Sequence, residues 1–423
     1  MDEDEQFKRI KEICSPFEIK IEQLAQIKNQ MFDEINSSSE IPTNLKKSLT
    51  FLQYFPTGCE HGRYLVIHLE DNNFRIHLYH MRGGNDPIVS SEFYEILPDL
   101  LSGGGIELFA NIANSLQLFL KKLQLEREPL TLVVELAAVV NEATSVFSAG
   151  SWKYSKCLMG ICLGSEDTSV AYTEKTENIP PPNVLCPAKP FVISHLDWGV
   201  FGENGCLDHI RHELDIEVDK LSLYPRKRIY EKLICGNYIG ELARQIFLLC
   251  TREGILFNAD IGKHLTVPFS FNLRHICEVL AESPDSFDNT RLMFDRLGIM
   301  KPMDNECLKV KYILECLARR SAALLAVGCA CLLERVEESH VVVCIEGSFY
   351  ENSLIYQEFL GNYLEKLVPE GKTFELKCVD QAIDIGAAVL SAVSQQQKFL
   401  YQAMEDNGAE VIQTSQQSTT DES

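Results

Sequence analysis

The sequence predicts an α/β protein whose lobes are assembled from chain segments that are not contiguous. Three observations carry this. Apolar runs with a period of two occur in pairs, once early in the chain and again in its middle. Long stretches with helical periodicity lie between and after them, and no linker divides the chain cleanly. The length, 423 residues, is too long for one compact core and suits two or three domains.

The elements follow in order. Ser15-Pro16-Phe17-Glu18 reads as a capping box with Pro at the first helical position. Phe17, Ile21, Leu24, Ile27, Met31 and Ile35 then recur at helical spacing, and the serines at 37–39 with Pro42 stop the helix. Residues 58–62 make a turn and 64–69 an apolar strand. Phe74, Ile76 and Leu78 alternate with Arg75, His77 and Tyr79, so residues 70–73 must connect a β-hairpin. Gly103-Gly104-Gly105 enters an amphipathic helix over 106–125. A buried strand is expected at 131–134, a second hairpin at 158–163 and 168–173, a Pro-rich loop at 175–190 and a short strand at 191–193. Residues 208–297 read as mainly helical. A long helix with a small-residue middle spans 308–337, followed by a strand at 341–345, a helix at 354–367, a strand at 374–378 and a last helix at 385–404. The polar stretch 407–423 is expected to be disordered.

Composition narrows the function. Lys plus Arg number 39 against 61 Asp plus Glu, a net charge of −22. That disfavours a nucleic-acid-binding surface and attraction to anionic lipid, and leaves neutral or cationic ligands. An anionic substrate would need locally placed positive charge or Mg²⁺. The start is acidic where a secretory signal is basic, and no apolar run approaches the roughly 20 residues of a membrane span. The 15 scattered cysteines are therefore expected to be reduced, mostly buried thiols of a cytoplasmic protein. Cys329 and Cys331 are too close for a C-x-x-C motif.

Three stretches point to a family. Asp197-Trp198-Gly199-Val200-Phe201-Gly202-Glu203-Asn204-Gly205 resembles the E-W-G-A-F-G-D-N-G of the eukaryotic hexokinases. Ser222-Leu223-Tyr224-Pro225 follows, and then residues 230–244, which resemble Y-E-K-x-I-S-G-x-Y-x-G-E-x-V-R. Residues 56–62 with Asn73-Phe74-Arg75 form the second stretch, and Glu346-Gly347-Ser348-Phe349-Tyr350, similar to D-G-S-x-Y, the third. The resemblance implies the two-lobed actin-like ATPase fold, with a sugar and ATP meeting in the cleft. It implies a large lobe of residues 1–55 and 141–380 and a small lobe of 56–140 and 381–405, which leaves 406–423 as the disordered tail expected from composition.

The residues that the resemblance places at phosphate depart from the family. Its first phosphate loop, D-L-G-G-T-N, aligns with His68-Leu69-Glu70-Asp71-Asn72-Asn73, so both glycines are gone and two acids stand there. The second, G-T-G-x-N, aligns with Ser165-Glu166-Asp167-Thr168-Ser169. A carboxylate about 4 Å from a phosphate charge costs roughly 4 kcal/mol at an effective dielectric near 20. The adenosine loop, G-S-G-K-G, aligns with Ala382-Ile383-Asp384-Ile385-Gly386, where one glycine remains and the lysine is absent.

The sugar side is eroded as well. The family's base, the Asp of V-N-D-T, becomes Glu142 in Val140-Asn141-Glu142-Ala143. The extra methylene moves the carboxylate by about 1 Å, a displacement that can cost about 100-fold. The sugar-binding Glu becomes Asp197 and the Asn two residues earlier becomes His195, while Asn141 and Glu231 are intact. The block carrying F-S-F-P and T-K-G-F before the base is missing, which truncates the small lobe. Pro268-Phe269-Ser270-Phe271 is out of place for it.

Other clusters carry less. Cys206, Asp208, His209, His212 and Glu213 resemble a metal set at helical spacing, but align with a family surface helix. Gly103-Gly104-Gly105 lacks a following Lys-Ser or Lys-Thr and reads as a helix entry. Arg319-Arg320 reads as a solvated or salt-bridged face, and Trp152 and Trp198 as packing residues. The expected protein is thus of ATP:hexose 6-phosphotransferase lineage with weak or lost catalysis. It would be a pseudokinase with a binding or regulatory role, taking a hexose weakly at Asn141, Asp197 and Glu231, or a protein partner. The alternative is an active hexokinase that phosphorylates glucose in glycolysis with ATP and Mg²⁺, with Glu142 as base.

Overall fold

The computed structural model describes residues 2–36, 45, 47–50, 55–70, 72–84, 86–101, 105–126, 130–135, 141–178, 190–257, 262–283, 286–299 and 302–395. The acidic start is the first turn of helix α1 (Glu3–Cys14). The Asp2 carboxylate accepts the Glu5 N–H at 2.8 Å, and Glu5 accepts the Asp2 N–H in return. The acids thus face the positive end of the helix dipole. The capping box expected at Ser15 starts no helix. The Ser15 hydroxyl donates back to the Glu12 carbonyl at 2.9 Å, and Ser15–Phe17 form a single 3₁₀ turn that closes α1. Helix α2 begins later (Ile21–Asn36) and buries Leu24, Ile27, Met31 and Ile35, the expected face.

The strand β1 (Lys47–Leu49) leads to a four-stranded sheet of β2 (His61–Leu69), β3 (Asn73–Arg82), β4 (Ile88–Glu95) and β5 (Thr131–Glu135). Its order is β4-β3-β2-β5, with only β2 and β5 parallel. The expected hairpin is present: Leu69 faces Phe74, and the Glu70 N–H donates to the Asn73 carbonyl at 2.9 Å. The edge strand β4 escaped the sequence because its apolar residues come in adjacent pairs, Ile88-Val89 and Phe93-Tyr94, so hydropathy does not alternate although exposure does. A short helix α3 (Pro98–Leu101) precedes α4 (Gly105–Lys122), which lays Ile112 and Phe119 over Leu65, Ile67, Phe74 and Ile76.

The larger sheet contains β1, β6 (Cys157–Leu163), β7 (Thr168–Lys175), β8 (Phe191–Leu196), β9 (His340–Glu346) and β10 (Thr373–Lys377). Its order is β1-β8-β7-β6-β9-β10, with β9 parallel to both neighbours and the other pairs antiparallel. Helix α5 (Glu142–Lys153) crosses β6 so closely that a Cβ on Gly160 would lie 2.2 Å from the Phe147 nitrogen. The helical middle comprises α6 (Glu213–Leu221), α7 (Ile229–Ile234), α8 (Gly236–Arg252), α9 (Leu273–Leu280), α10 (Asp288–Arg296) and α11 (Asp304–Arg335). Helix α11 is long and apolar enough to cross a membrane, but it is buried inside the protein along most of its apolar length. Its neighbours are α1, α2, α7, α8, α9 and α13 (Leu354–Leu367), which follows the short α12 (Ser348–Glu351).

The last described helix, α14 (Ala382–Gln395), starts three residues before the expected position. It covers the second face of the small sheet, with Ala387, Ala388, Val389 and Ala392 against Tyr64, Val66, Tyr79 and Met81. The rest of the expected 385–404 helix, the tail over 406–423, and most of the expected loop at 175–190 lie outside the described residues. Lys175 still belongs to β7, and Thr176–Asn178 form a 3₁₀ turn. The described cysteines are free thiols, most of them buried.

Candidate active site

Two of the residues assigned to sugar meet on one guanidinium. Arg228 holds Asp197 by two N–H bonds, Nη1 to Oδ2 at 2.9 Å and Nη2 to Oδ1 at 3.0 Å. It holds Glu231 through Nε at 2.8 and 2.9 Å and through Nη2 at 2.6 Å. Such forked, charge-assisted pairs are among the strong hydrogen bonds of proteins. The Glu231 side chain is 3 % exposed and that of Asp197 37 %. Burial pushes the Glu231 carboxyl up, and Arg228 pulls it back towards the ionised form. Arg228 reaches this position from a left-handed backbone (φ 53°), an uncommon one for a residue with a side chain. Glu203 fixes that corner: it accepts the Arg228 N–H and the Lys227 ammonium, each at 2.8 Å. Asn141 caps α5, its side chain accepting the Ala143 N–H at 2.9 Å. His195 is drawn to the β1 side, 3.0 Å from the Ser48 hydroxyl.

A group of carboxylates lies beside this pair. Glu142 is the first residue of α5, and the Cys162 thiol donates to it at 3.1 Å. Burial and the charges of Glu142, Glu346 and Asp167 push that thiol up, which keeps it a donor. Glu346, at the end of β9, is pushed up to about 7. Burial is the main cause, and Glu351, Glu142 and Asp384 add to it through like charge. Asp167 is also pushed up, first by burial and then by Glu142. Gly347 has φ 145°, and a Cβ there would lie 2.0 Å from the Leu163 carbonyl, so only glycine lets β9 turn beside β6. Ser348 starts α12, and its carbonyl accepts the Asn352 N–H.

The segments that align with phosphate and adenosine loops are engaged internally. Glu70 pairs with Arg75 at 3.1 Å, and the Asn73 amide donates to Asn72 at 3.0 Å. Asp71 lies outside the described residues. The Ser165 carbonyl and the Glu166 carboxylate both accept from Asn237, at 2.9 and 3.0 Å, which fastens this loop to the start of α8. Asp384 of α14 lies 2.8 Å from His68 Nδ1 and 3.5 Å from His77 Nε2. It thereby links the adenosine-aligned segment to the strand that enters the first loop. A Cβ on Gly386 would lie 1.9 Å from the Ser145 carbonyl, so this glycine serves the contact between α14 and α5. These residues do not fit MgATP: the two loops present acids and side-chain contacts where phosphate needs open amides or cations. Among the described residues no group of three or more His, Cys, Asp or Glu is arranged to hold a metal.

The remaining candidates resolve differently from their sequence pattern. His209 sits in a 3₁₀ turn with Nδ1 at the Cys206 carbonyl, while His212 caps α6, so the two histidines share no helix face. Asp208 pairs with Arg211. Arg320 is salt-bridged but not solvated: its side chain is 0 % exposed and forks onto Asp215 at 2.8 and 3.0 Å. Trp198 packs in the core and donates to the Thr168 hydroxyl at 2.9 Å. Sequence reasoning missed Arg228 and Cys162 as members of the site, and placed His68 and Asp384 in aligned loops without foreseeing that they pair. The basic triplet Arg226-Lys227-Arg228, just before an acid-bearing helix of a strongly acidic chain, was the available signal for Arg228.

Comparisons with known proteins agree on the lineage. Two family models, both described as hexokinase, match residues 9–138 and 158–393. The hexokinase of Schistosoma mansoni is 28 % identical, over 91 % of this chain and 97 % of that protein. Hexokinase type 1 of Drosophila melanogaster is 23 % identical over 94 % and 96 %. The structure of the Schistosoma mansoni hexokinase complexed with glucose superposes with a TM-score of 0.83 at 26 % identity, covering 93 % of this chain and all of that one. A second hexokinase crystal structure shares the fold at 18 % identity and a TM-score of 0.73, over 92 % of this chain and 99 % of that one. The mixed sheets of the two lobes are thus those of the actin-like ATPase fold, and the chain belongs to the hexokinase family.

Proposed function

We propose that this protein is a hexokinase-family member that no longer transfers phosphate and acts by binding, as a cytoplasmic regulatory or partner-binding protein. One observation carries the reading: acids surround the base position, with Asp167 and Glu346 each in electrostatic reach of Glu142 and Asp384 in reach of Glu346, and burial, with like charge from Glu351, Glu142 and Asp384 added, pushes Glu346 up to about 7. Phosphoryl transfer requires amides and cations around the phosphates and a base beside the attacking hydroxyl. Here the base position, Glu142, already accepts a hydrogen bond from Cys162 at one oxygen, and the aligned loop residue that feels its charge, Asp167, is another acid.

The competing reading is an active hexokinase using ATP and Mg²⁺ on glucose, with Glu142 as base. It is favoured by the similarity to a hexokinase solved with glucose and by the acid kept at the start of α5. Purified protein incubated with glucose and MgATP separates the two. The proposal expects no glucose-6-phosphate above a no-enzyme control. Turnover near a typical enzyme's about 10 s⁻¹, abolished in Glu142→Gln, establishes the competing reading instead.

A further inference from the structure

We propose that Arg228 is a built-in occupant of the hexose pocket, and that this side chain excludes sugar from carboxylates otherwise able to take it. The inference rests on the assignment of Asp197 and Glu231 to the sugar, and extends it to what the pocket now prefers. A hexose binds a carboxylate pair by donating hydroxyl hydrogens to its oxygens. Each of the four oxygens of Asp197 and Glu231 already accepts an Arg228 N–H, at 2.6 to 3.0 Å.

The competition is unequal. Sugar hydroxyls donate neutral hydrogen bonds to carboxylates and are tied by water before binding. A guanidinium adds opposite charge and a planar fork matched to carboxylate geometry, and it is tethered three residues from Glu231. Its effective concentration is therefore far above any hexose in solution. Displacing it would also strand Glu231, whose side chain is almost fully buried, without its counter-charge.

The corner that carries Arg228 is built to hold it inward. Its backbone has a positive φ, and the N–H of that strained residue is fastened to Glu203 at 2.8 Å. Glu203 lies in the same 197–205 segment that begins with Asp197, so one loop provides both the anchor for the backbone and a target for the guanidinium. Gly199 completes the seat. A Cβ there would lie 2.8 Å from Glu231 Oε2 and 2.9 Å from Arg228 Nη2, so a side chain at that position would push the fork out. The arrangement discriminates by charge: a neutral polyol would have to share both carboxylates with the guanidinium that already bonds every one of their oxygens, and an anion finds a guanidinium already neutralised.

The test is glucose binding by calorimetry to the full chain and to Arg228→Gln, whose shorter amide can bond one carboxylate but cannot fork across two. The expected result is no saturable heat from the natural protein up to about 10 mM glucose, and a gain of at least about tenfold in affinity for the variant. Galactose serves as a control for stereochemical fit. A folded Arg228→Gln that binds glucose no better than the natural protein overturns the proposal, as does tight binding by the natural protein. The variant could fail to fold, because two carboxylates lose their counter-charge. In that case the Arg228 Nε–H resonance of the natural protein, assigned with Arg228→Lys, decides. It is expected to stay unshifted in about 50 mM glucose, and displacement on titration overturns the proposal. Failure here is distinct from failure of the non-catalytic reading. An Arg228→Gln that both binds and phosphorylates glucose keeps the lock and removes that reading, whereas one that binds without turnover keeps both.

Discussion

Glu346 ties the stability of the cleft to pH. Its carboxyl stands at about 7 in the folded protein against 4.5 in an unstructured chain. Between those values the unfolded chain has released a proton that the folded protein still holds. Stability contributed by the protonated form is therefore complete below about 4.5 and is lost as pH rises through about 7. The substitution Glu346→Gln removes this loss. Thermal melts should find the variant more stable than the natural protein at pH 8, by on the order of 2 kcal/mol after solvent screening, and little different at pH 4.5. An unchanged difference across that range contradicts a Glu346 carboxyl raised by burial and neighbouring acids. At the same scale, Arg244 forks onto Glu241 at 2.6 and 2.7 Å and also donates to the Leu265 carbonyl. Both side chains are almost fully buried. Arg244→Ala leaves Glu241 charged and unpaired, and should lower unfolding free energy in urea by about 3–5 kcal/mol.

Among the elements, α14 changes meaning most between family pattern and structure. Gly386 looks like the remnant of a nucleotide loop, yet its missing Cβ is what lets α14 lie against the Ser145 carbonyl of α5. In an exposed helix Gly→Ala is stabilising by about 1 kcal/mol. Here Gly386→Ala should instead destabilise by about 1–3 kcal/mol, since a backbone atom 1.9 Å away cannot yield as a side-chain tip can. A variant with a higher Tm would show that the two helices are free to separate. The same elements explain what was legible in the sequence. Helix α13 was readable because its buried residues Tyr356, Leu360, Leu364 and Leu367 recur at helical spacing, and the two hairpins and β9 because their strands are short apolar runs bounded by turns or polar residues. The start of α2 was not, since Ser15 and Glu18 match a capping pattern whose hydroxyl the backbone of α1 takes instead. The carboxylates of the site were found from motif positions. Their partners were not, because Arg228, Cys162 and His68 act through contacts between segments far apart in the chain or lie between recognisable motifs.

For the whole molecule, the two sheets are joined by contacts that a ligand does not need to supply. Asp384 connects α14 to His68 and His77 of the small sheet, and α14 packs simultaneously against α5 of the large one. Lobe closure driven by sugar would have to recruit Asp197 and Glu231, which Arg228 already satisfies. Small-angle scattering should therefore find the same radius of gyration with and without about 50 mM glucose. Clear compaction would assign the sugar a larger hold on the cleft than the described contacts leave it.

The net charge of −22 acquires a location at this scale. Glu142, the loop pair Glu166 and Asp167, Glu346 and Asp384 come from four parts of the chain, and like charge among them adds to burial in raising the carboxyls of Asp167 and Glu346. A nucleotide triphosphate entering that field would meet like charge from several directions. Titration calorimetry of the full chain with ATP at millimolar Mg²⁺ tests this most directly. No saturable binding is expected up to about 1 mM nucleotide. A one-to-one isotherm with a micromolar Kd, weakened by Glu142→Gln, would contradict it.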